Sequence, residues 1–288
     1  MKGIIVAAGY GTRFLPLTKT IPKEMIPLID RPAIDFIVEE FREAGINEII
    51  VISSRRKKVL EDWFDREIEL ESIFEREAKD KLLDCISPDP ELKIAFVRQQ
   101  RMQGTGHALL QVKNFIGNEP CVVAYPDDLV QGPSLSRQLV EAWKESGCSV
   151  MASELCQGDV SRYGVLDLAA DGKSVRAIVE KPKSGSEPSK EISIGRYLFT
   201  PEFFTLLEEE WKIHAAGPNR DKEFYHIGAL NRLMAAGKVV ASRLLGIRLD
   251  TGEPAGYLDA IIRYAQTRED LHAVLEKHRL LGQGRQPV

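Results

Sequence analysis

The segment that most constrains the fold is a short apolar strand that runs directly into a glycine-rich turn. Residues 2–8 read KGIIVAA, and residues 9–13 read GYGTR. Backbone N–H groups are exposed where a strand enters such a turn, and a concave set of them cradles phosphate oxygens. Gly9 and Gly11 allow the positive φ and the close approach that the turn needs. Arg13 and Lys23 place two cations near the same mouth, so the pattern predicts a polyphosphate site.

Two commoner nucleotide-binding motifs do not fit this turn. A dinucleotide-binding fingerprint needs a third glycine three residues after Gly11, where the chain has Phe14. It also needs an acid at the end of the second strand, where residues 50–54 read IVISS. A Walker A loop needs Gly-Lys-Ser or Gly-Lys-Thr, and neither follows the turn. These mismatches argue against a nicotinamide oxidoreductase, although a lone G-x-G could also be only a tight β–α turn.

Strand and helix patterns alternate through the first half of the chain. Apolar strand patterns lie at residues 3–8, 48–53, 92–97 and 121–125. Helical patterns lie between them, at 32–44, as two helices within the charge-rich segment 55–84, and at 104–112. This alternation predicts an α/β fold, a Rossmann-like, mostly parallel mixed sheet sandwiched by helices. Ligands of such sheets bind beyond the carboxyl ends of the strands.

The pattern changes after Ser149. Strand patterns then follow in quick succession at 150–154, 163–168, 174–180 and 192–200, which predicts a small added β lobe. Helical spacing of apolar residues returns from Pro254 onward. These C-terminal helices either pack against the main domain or form a subunit interface, and the sequence leaves both possibilities open.

Composition argues against several kinds of partner. The 288 residues carry a formal net charge of −4, whereas proteins that bind nucleic acids usually carry a basic surface. No apolar run approaches the ~20 residues of a membrane span, and the first residues lead straight into a strand rather than a signal peptide. Cys85, Cys121, Cys148 and Cys156 show no zinc-site spacing. We therefore expect buried reduced thiols in a cytoplasmic protein that binds neither nucleic acid nor membrane.

An acidic pair follows the predicted strand at 121–125. Asp127 and Asp128 stand in P-D-D at the edge where ligands of the sheet are expected, although such a pair alone could also cap a loop. Carboxylate oxygens suit Mg²⁺, which takes one or two protein oxygens and completes its shell with phosphate and water. Asp250 also follows an apolar strand, so it is the candidate second carboxylate.

Further motifs follow in the order known from one family. They are R-Q…G-x-G-H-A at 98–108, P-D-D at 126–128, Y-G-V at 163–165, E-K-P at 180–182 and D-x-G at 250–252. Together with A-A-G-x-G-T-R and P-K-E-M, they resemble the sugar-phosphate nucleotidyltransferases, and most of all the bacterial UTP–glucose-1-phosphate uridylyltransferases. The resemblance runs from Lys2 to about Tyr264.

The resemblance implies Mg²⁺-dependent transfer of a uridylyl group from UTP to glucose 1-phosphate, which yields UDP-glucose and pyrophosphate. A sugar 1-phosphate is already an anionic nucleophile, so this chemistry needs aligned cations rather than a general base. The implied partners are the small molecules UTP and a sugar 1-phosphate, and we expect a homo-oligomer, either a dimer or a tetramer. The implied domain spans 1–266, with a nucleotide-binding half at about 1–148 and a sugar-binding half at about 149–253, before C-terminal helices at 254–282 and a tail at 283–288.

The resemblance also implies the site residues, motif by motif. The implied catalytic residues are Arg13, Lys23 and Asp127, and the implied metal ligands are Asp127 and Asp250. The implied nucleotide-binding residues are Ala8, Gly9, Gly11, Thr12, Arg13, Glu24, Gln99 and Gly104. The implied sugar-phosphate residues are Gly164, Glu180 and Lys181. The amide of Gln99 matches the imide edge of uracil and of thymine equally, and we expect His107 to pack beside the turn.

Several positions depart from the uridylyltransferase pattern, one of which is Gln103 beside the glycine turn, where a lysine is common. Tyr225 stands where the family has glutamine, Gly228 where it has an acid, and Pro254 where D-x-G-x-K has lysine. Because these changes lie toward the sugar side, the identity of the sugar 1-phosphate and the choice between UTP and dTTP stay open. A non-catalytic sensor of nucleotide sugars is a further alternative, although no expected catalytic residue is missing.

Overall fold

One mixed sheet of nine strands forms the centre of the computed structural model, which describes residues 1–280. The strands of the chain are β1 (Lys2–Val6), β2 (Pro27–Leu28), β3 (Arg31–Pro32), β4 (Glu48–Ser53), β5 (Lys93–Arg98), β6 (Cys121–Ala124), β7 (Asp128–Gln131), β8 (Ser149–Leu155), β9 (Gly164–Leu168), β10 (Val175–Glu180), β11 (Glu191–Phe199), β12 (Val239–Arg243) and β13 (Ile247–Asp250). The sheet runs in the order β10-β9-β11-β6-β1-β4-β5, while β8 pairs with β11 and β12 pairs with β8. The predicted tail at 283–288 lies outside the described residues.

Strand direction differs between the two halves of this sheet. β6, β1, β4 and β5 are parallel, with Ile5 opposite Val51 on one side and Ala124 on the other. β11 is antiparallel to β6, β8 and β9, and β10 is antiparallel to β9. The predicted mixed α/β sheet is therefore confirmed. The strands expected in an added lobe extend this sheet instead, and the small antiparallel sheets are β7 with β13 and β2 with β3.

Helices cover both faces of the sheet. They are α1 (Ala33–Glu43), α2 (Val59–Phe64), α3 (Ile68–Arg76), α4 (Asp80–Ile86), α5 (Thr105–Leu110), α6 (Lys113–Ile116), α7 (Leu135–Ser146), α8 (Pro201–Ala216), α9 (Ile227–Ala235), α10 (Pro254–Gln266) and α11 (His272–Lys277). Ile4 and Ile5 are neighbours in β1 and both are completely buried, yet they belong to different cores. Ile5 packs with α1, α7 and α10, and Ile4 with α5, α8 and α9, because successive strand residues point to opposite faces.

The charge-rich segment 55–84 forms three helices, whereas the sequence predicted two. α2 ends at Phe64, after which Asp65 is extended. α3 ends at Arg76, shortly before Ala78, whose φ is 51°. A residue with left-handed φ does not continue a right-handed helix, so the helical pattern is interrupted twice.

The cysteines do not share the burial that the sequence predicted. All four are free thiols, but only Cys121 is buried, while Cys148 and Cys156 are half-buried and Cys85 is exposed. Cys85 is exposed because it lies on α4, which has no buried residue. Within residues 1–280, no helix has both the length and the apolar character that crossing a bilayer requires. The cytoplasmic location stays a prediction.

The C-terminal helices pack against the main domain. Tyr264 of α10 meets Phe36 of α1 edge to face, with ring centroids 5.0 Å apart, and Leu275 of α11 is buried. Leu258 and Val274 point outward and are 59% and 57% exposed. Packing on the main domain is thus observed, and a subunit interface on the outer face stays a prediction.

A buried ion pair joins α1 to the middle of the sheet. Arg196 of β11 is 1% exposed and donates from Nε and Nη2 to the two carboxylate oxygens of Glu40, at 2.9 and 2.8 Å. Ser136 N at the start of α7 donates to Glu40 Oε1 at 2.9 Å, and Arg196 Nη2 also donates to the carbonyl oxygen of Asp128 at 3.2 Å. The Arg196–Glu40 pair therefore ties α1, α7, β7 and β11 together.

Replacing Arg196 by methionine is expected to lower the free energy of unfolding by about 3–5 kcal/mol, because it leaves the Glu40 carboxylate buried without a counter-charge. Urea unfolding measures this change. Arg263→Met is the matched control, because Arg263 pairs with Asp259 on the exposed surface, and it is expected to cost about 0.5 kcal/mol or less. Equal losses in the two variants would contradict this role for Arg196.

Candidate functional site

Three segments distant in sequence meet at one edge of the sheet. Arg13, just after the glycine-rich turn, donates from Nη1 to the carbonyl oxygen of Gly252 at 3.3 Å. Thr251 N donates to the carbonyl oxygen of Asp127 at 2.7 Å. Asp127 follows β6, and Gly252 follows β13. The turn after β1, the end of β6 and the end of β13 therefore form one site at the edge where the sequence predicted it.

The glycine-rich turn lies beyond the buried end of β1. Ala8 is 2% exposed and leads into the turn, whereas Gly9 and Thr12 are exposed. Gly11 has a φ of 66°, which favours glycine, and its carbonyl oxygen accepts a hydrogen bond from Thr18 Oγ1 at 2.8 Å. A Cβ at Gly9 would meet nothing within 4 Å. The turn is therefore anchored by Gly11 and open to a ligand at Gly9.

Lys23 and Asp127 form an ion pair between Nζ and Oδ1 in this site. Lys23 begins a one-turn 3-10 helix, Lys23–Met25, directly after Pro22. The two side chains are 19% and 30% exposed, so both are partly desolvated yet accessible. Partial desolvation strengthens their attraction relative to a surface pair. The structure thus brings together two of the three predicted catalytic residues, and Arg13 lies beside them through Gly252.

Asp250 lies at the same edge as Asp127. It is the antiparallel partner of Asp128, and its Oδ1 accepts from Gly252 N at 3.0 Å. A Cβ on Gly252 would lie 3.1 Å from Asp250 Oδ1 and 3.5 Å from Asp127 Cβ, so the two aspartate side chains begin on either side of one turn. No cluster of three His, Cys, Asp or Glu side chains suited to a metal occurs within residues 1–280. Two carboxylates do fit Mg²⁺, which keeps phosphate and water in most of its shell.

The predicted sugar-phosphate residues gather where β9 and β10 pair. Gly164 is the antiparallel partner of Glu180, and a Cβ there would lie 3.0 Å from Glu180 Oε1. Lys181 N donates to the carbonyl oxygen of Tyr163 at 3.0 Å, and the side chains of Glu180 and Lys181 are exposed. Lys181 has a φ of 47°, a left-handed conformation that is rare outside glycine and clusters at functional sites.

Arg248 connects Tyr163, directly before β9, to Asp128 and Asp250. Sequence reasoning missed this residue. Its side chain is 11% exposed and forms ion pairs with Asp128 and, at 3.5 Å, with Asp250. Its guanidinium carbon lies 5.4 Å from the ring centroid of Tyr163. Burial opposes its charge, but the neighbouring carboxylates outweigh burial and raise the pKa of Arg248. The sequence feature that could have revealed Arg248 is the R-x-D spacing, because it puts Arg248 and Asp250 on one face of β13.

Asp128 therefore has a structural role in this arrangement. Its Oδ2 accepts from Gly195 N at 2.9 Å, while its Oδ1 pairs with Arg248 Nε. The sequence left open whether Asp128 caps the next segment, and these two contacts tie it to β11 and β13. Asp127, by contrast, pairs with the partly exposed Lys23.

Glu24 lies beneath the site and pairs with Lys57, a second residue that sequence reasoning missed. Lys57 Nζ donates to both carboxylate oxygens of Glu24, at 2.7 and 2.8 Å, and Glu24 is 1% exposed. Burial lowers the pKa of Lys57, while Glu24 opposes that shift. The contact of Glu24 with a nucleotide stays a prediction, and its observed partner is a lysine. The sequence feature that could have drawn attention to Lys57 is the basic run RRKK at 55–58, at the carboxyl end of β4.

Gln99 and Gly104, two of the predicted nucleotide-binding residues, meet beyond the end of β5. Gln99 Nε2 donates to the carbonyl oxygen of Gly104 at 3.1 Å and lies 3.1 Å from His107 Nδ1. His107 packs against Trp211, and burial lowers its pKa. These contacts agree with the expectation that His107 packs beside the turn. Gln99 is 4% exposed, so a base could contact only the small exposed part of its side chain.

Residues 225–228, which include the departures Tyr225 and Gly228 from the family pattern, support the turn at Gly104. His226 Nδ1 lies 2.9 Å from Thr105 Oγ1 and 3.3 Å from the hydroxyl of Tyr125, and burial lowers the pKa of His226 to about 4. At neutral pH it is therefore neutral, so its Nδ1 can accept a hydrogen bond from one of these two hydroxyl groups. Tyr225 is exposed. An added Cβ at Gly228 would lie 3.1 Å from Glu210 Oε2, so an acid there would meet a like charge.

The chain matches a known family along most of its length. The sequence model of a family described as "Nucleotidyl transferase" matches residues 2–267. The UTP–glucose-1-phosphate uridylyltransferase of Staphylococcus epidermidis is 41% identical over 286 residues, which cover 96% of this chain and 97% of that protein.

Solved structures have the same fold. A "UTP-bound UGPase" from Acinetobacter baumannii superposes with a TM-score of 0.87 at 32% identity, covering 98% of this chain and 99% of that one. A UDP-glucose pyrophosphorylase "complexed with UDP-glucose" superposes with a TM-score of 0.77 at 35% identity, covering 93% of this chain and 100% of that one.

Replacing Gly104 by alanine is expected to lower the thermal midpoint by about 5–10 °C. Gly104 has a φ of 91°, and an added Cβ would lie 2.9 Å from Phe224 N and closer still to its carbonyl oxygen. Gly158→Ala is the matched control, because a Cβ there meets nothing within 4 Å. Calorimetry checks both variants, and an unchanged midpoint in Gly104→Ala would show that the turn adapts freely.

Proposed function

This chain belongs to the nucleotidyl transferase family, and from that premise we propose that it transfers the uridylyl group of UTP to glucose 1-phosphate. The products are UDP-glucose and pyrophosphate. The observation that carries the proposal is the meeting of Lys23 and Asp127 beside the glycine-rich turn. A cation for phosphate and a carboxylate for a metal ion stand side by side there, at the edge where such sheets bind ligands.

The reaction is a displacement at phosphorus. An oxygen of the sugar phosphate forms a bond to the α-phosphorus of UTP, and the bond from that phosphorus to the oxygen bridging to the β-phosphate breaks. Both reactants are anions, so they repel each other until cations bind them. Arg13 presents a planar fork and Lys23 a compact point charge, which suit the triphosphate and the charge that grows on the departing pyrophosphate. No side chain has to remove a proton.

Asp127 and Asp250 are the residues that would hold Mg²⁺ in this scheme. Their side chains begin on either side of the turn at Gly252, and oxygen ligands of this kind suit Mg²⁺. The bound ion supplies charge neutralisation at the phosphates during transfer. Arg248 keeps Asp250 fixed through its ion pair at 3.5 Å.

The sugar phosphate binds at the junction of β9 and β10 in this proposal. The Lys181 ammonium pairs with its phosphate, and the Glu180 carboxylate accepts hydrogen bonds from sugar hydroxyl groups. The exposure of both side chains and the left-handed backbone of Lys181 support this placement. Gly164 allows Glu180 to lie close against β9, since a Cβ there would lie 3.0 Å from Glu180 Oε1.

The base is read by Gln99 beside Gly104 in this proposal. Gln99 Nε2 already donates to the carbonyl oxygen of Gly104, so the carbonyl oxygen of Gln99 is the group assigned to the base. That oxygen accepts the imide N–H of uracil, which adenine and cytosine lack. Backbone groups of Ala8 and Gly9 complete the recognition. Thymine has the same imide, so Gln99 does not separate UTP from dTTP.

Pyrophosphate release from UTP, dTTP, CTP and ATP, each combined with several sugar 1-phosphates and Mg²⁺, tests the proposal. UTP with glucose 1-phosphate is expected to give the highest kcat/KM. A higher value with dTTP or with another sugar 1-phosphate would reassign the substrate. Binding of UDP-glucose without any turnover would indicate a sensor and would overturn the enzymatic assignment.

Asp127→Asn is expected to lower kcat by about 10²–10⁴-fold, because the metal loses a charged ligand, while the protein stays folded. Steady-state kinetics across a Mg²⁺ titration, together with circular dichroism, checks this. Asp128→Asn is a poor control because Asp128 pairs with Arg248. Asp167→Asn serves instead, because Asp167 pairs with Arg176 on the surface. Near-normal turnover of Asp127→Asn would remove Asp127 from the metal site.

Lys181→Ala is expected to raise KM for glucose 1-phosphate by about 10–100-fold and KM for UTP by less than about threefold. The two KM values are expected to respond differently because the Lys181 ammonium is assigned to the sugar phosphate alone. Lys183→Ala, two residues along the same exposed turn, is the control and is expected to behave like the unaltered protein. An unchanged KM for glucose 1-phosphate would assign Lys181 another role.

A further inference from the structure

One side chain of the C-terminal region contacts both ends of the loop that carries Arg13 and Lys23. The ring of Tyr257, on α10, meets Phe14 edge to face, with centroids 5.7 Å apart and planes at 79°. Its hydroxyl donates to the carbonyl oxygen of Pro27. Phe14 is adjacent to Arg13, and Pro27 lies two residues after the turn Lys23–Met25. Burial raises the pKa of Tyr257, so the hydroxyl keeps the proton that it donates.

The first part of the loop between these contacts, residues 15–21, has little apolar support of its own. Leu15, Leu17 and Ile21 are 58%, 46% and 42% exposed. A segment whose large apolar side chains face outward is held by few core contacts, and its position depends on the elements at its ends. Tyr257 contacts the segment at both ends, next to Arg13 and shortly after Lys23.

The part of the chain that carries Tyr257 is itself firmly attached to the site. Gly252, five residues earlier, accepts the hydrogen bond from Arg13 at 3.3 Å. Further along, Arg268 Nη1 pairs with both carboxylate oxygens of Asp30 at 2.9 Å, and Tyr264 packs against Phe36. Residues 250–268 are therefore attached to the loop at Arg13, to the turn between β2 and β3 at Asp30, and to α1 at Phe36.

We propose that Tyr257 is a positioning residue, which sets the placement of Arg13 and Lys23 on the triphosphate while touching no reacting atom. The inference rests on the proposed function for its kinetic part. Catalysis of this kind depends on holding charges where the transition state needs them, and a displacement of about 1 Å costs up to about 10²-fold in rate. The aromatic ring fixes the loop at Phe14, and the hydroxyl fixes it at Pro27.

Two variants separate these contributions. Tyr257→Phe removes only the hydrogen bond and is expected to lower kcat about three- to tenfold. Tyr257→Ala also removes the ring and is expected to lower kcat about 10–100-fold. KM for glucose 1-phosphate is expected to stay within about twofold in both, since the sugar side is untouched. Leu258→Ala, the neighbouring exposed position on α10, is the matched control and is expected to leave kcat unchanged.

A double-variant cycle distinguishes positioning from a general loss of stability. If Tyr257 acts through Lys23, Tyr257→Ala lowers kcat much less in a Lys23→Ala background than in the unaltered protein. Fully multiplicative losses, with Tyr257→Ala equally harmful in both backgrounds, would overturn the proposal. All assays are run well below the thermal midpoint of each variant, so that the folded fraction stays constant.

Hydrogen–deuterium exchange tests the same inference without relying on turnover. Tyr257→Ala is expected to speed amide exchange within residues 12–31 and to leave the strands of the central sheet unchanged, and Leu258→Ala is expected to change neither. If the unaltered protein released no pyrophosphate, the proposed function would fail, but exchange would still decide the role of Tyr257. Unchanged exchange in residues 12–31 would contradict that role.

Discussion

The ion pair between Lys23 and Asp127 is the interaction on which the rest of the site depends. It joins the loop after β1 to the end of β6, two segments that are 104 residues apart. Each partner complements one half of a nucleotide bound to a metal ion, since an ammonium suits phosphate and a carboxylate suits Mg²⁺. Partial exposure of both side chains keeps the pair accessible to ligands. Arg13, Asp250 and the glycine-rich turn are arranged around it.

One buried charge pair and one half-buried cluster of charges hold the segments that present this interaction. Lys57 fixes Glu24, the neighbour of Lys23, from below. Arg248 fixes Asp250 and Asp128. Such pairs add little net stability, because desolvation offsets their attraction, but each is costly to break and each selects one arrangement of its elements. The site is thus a partly exposed pair supported by these charged groups, which keep its charges oriented before a substrate binds.

The sequence allowed the fold and the position of the site to be predicted because both follow from local patterns. Continuous apolar runs such as GIIV indicate parallel strands buried on both faces, and parallel strands bring their carboxyl ends to one edge. Lys23 and Asp127 could therefore be placed together from motifs that follow β1 and β6. Asp250 could be added because it too ends an apolar strand.

The missed features depend on contacts between side chains that are distant in sequence. The run RRKK at 55–58 indicates cations at this edge of the sheet, but it does not show that Lys57 pairs with Glu24. Nor does anything local show that Tyr257 reaches Pro27, because these partners meet only after the sheet and α10 have packed. The break between α3 and α4 depends on a left-handed backbone at Ala78, which is unusual for alanine and leaves no compositional sign. The exposure of Cys85 was missed for a related reason, since α4 packs no side chain into a core.

A crystal structure of the protein with UTP and Mg²⁺ tests the central claim most directly. The account predicts that Lys23 Nζ then contacts a phosphate oxygen, that Asp127 ligates the metal ion, and that the uracil lies beside Gln99. A nucleotide bound elsewhere, with Lys23 and Asp127 still paired only to each other, would contradict it.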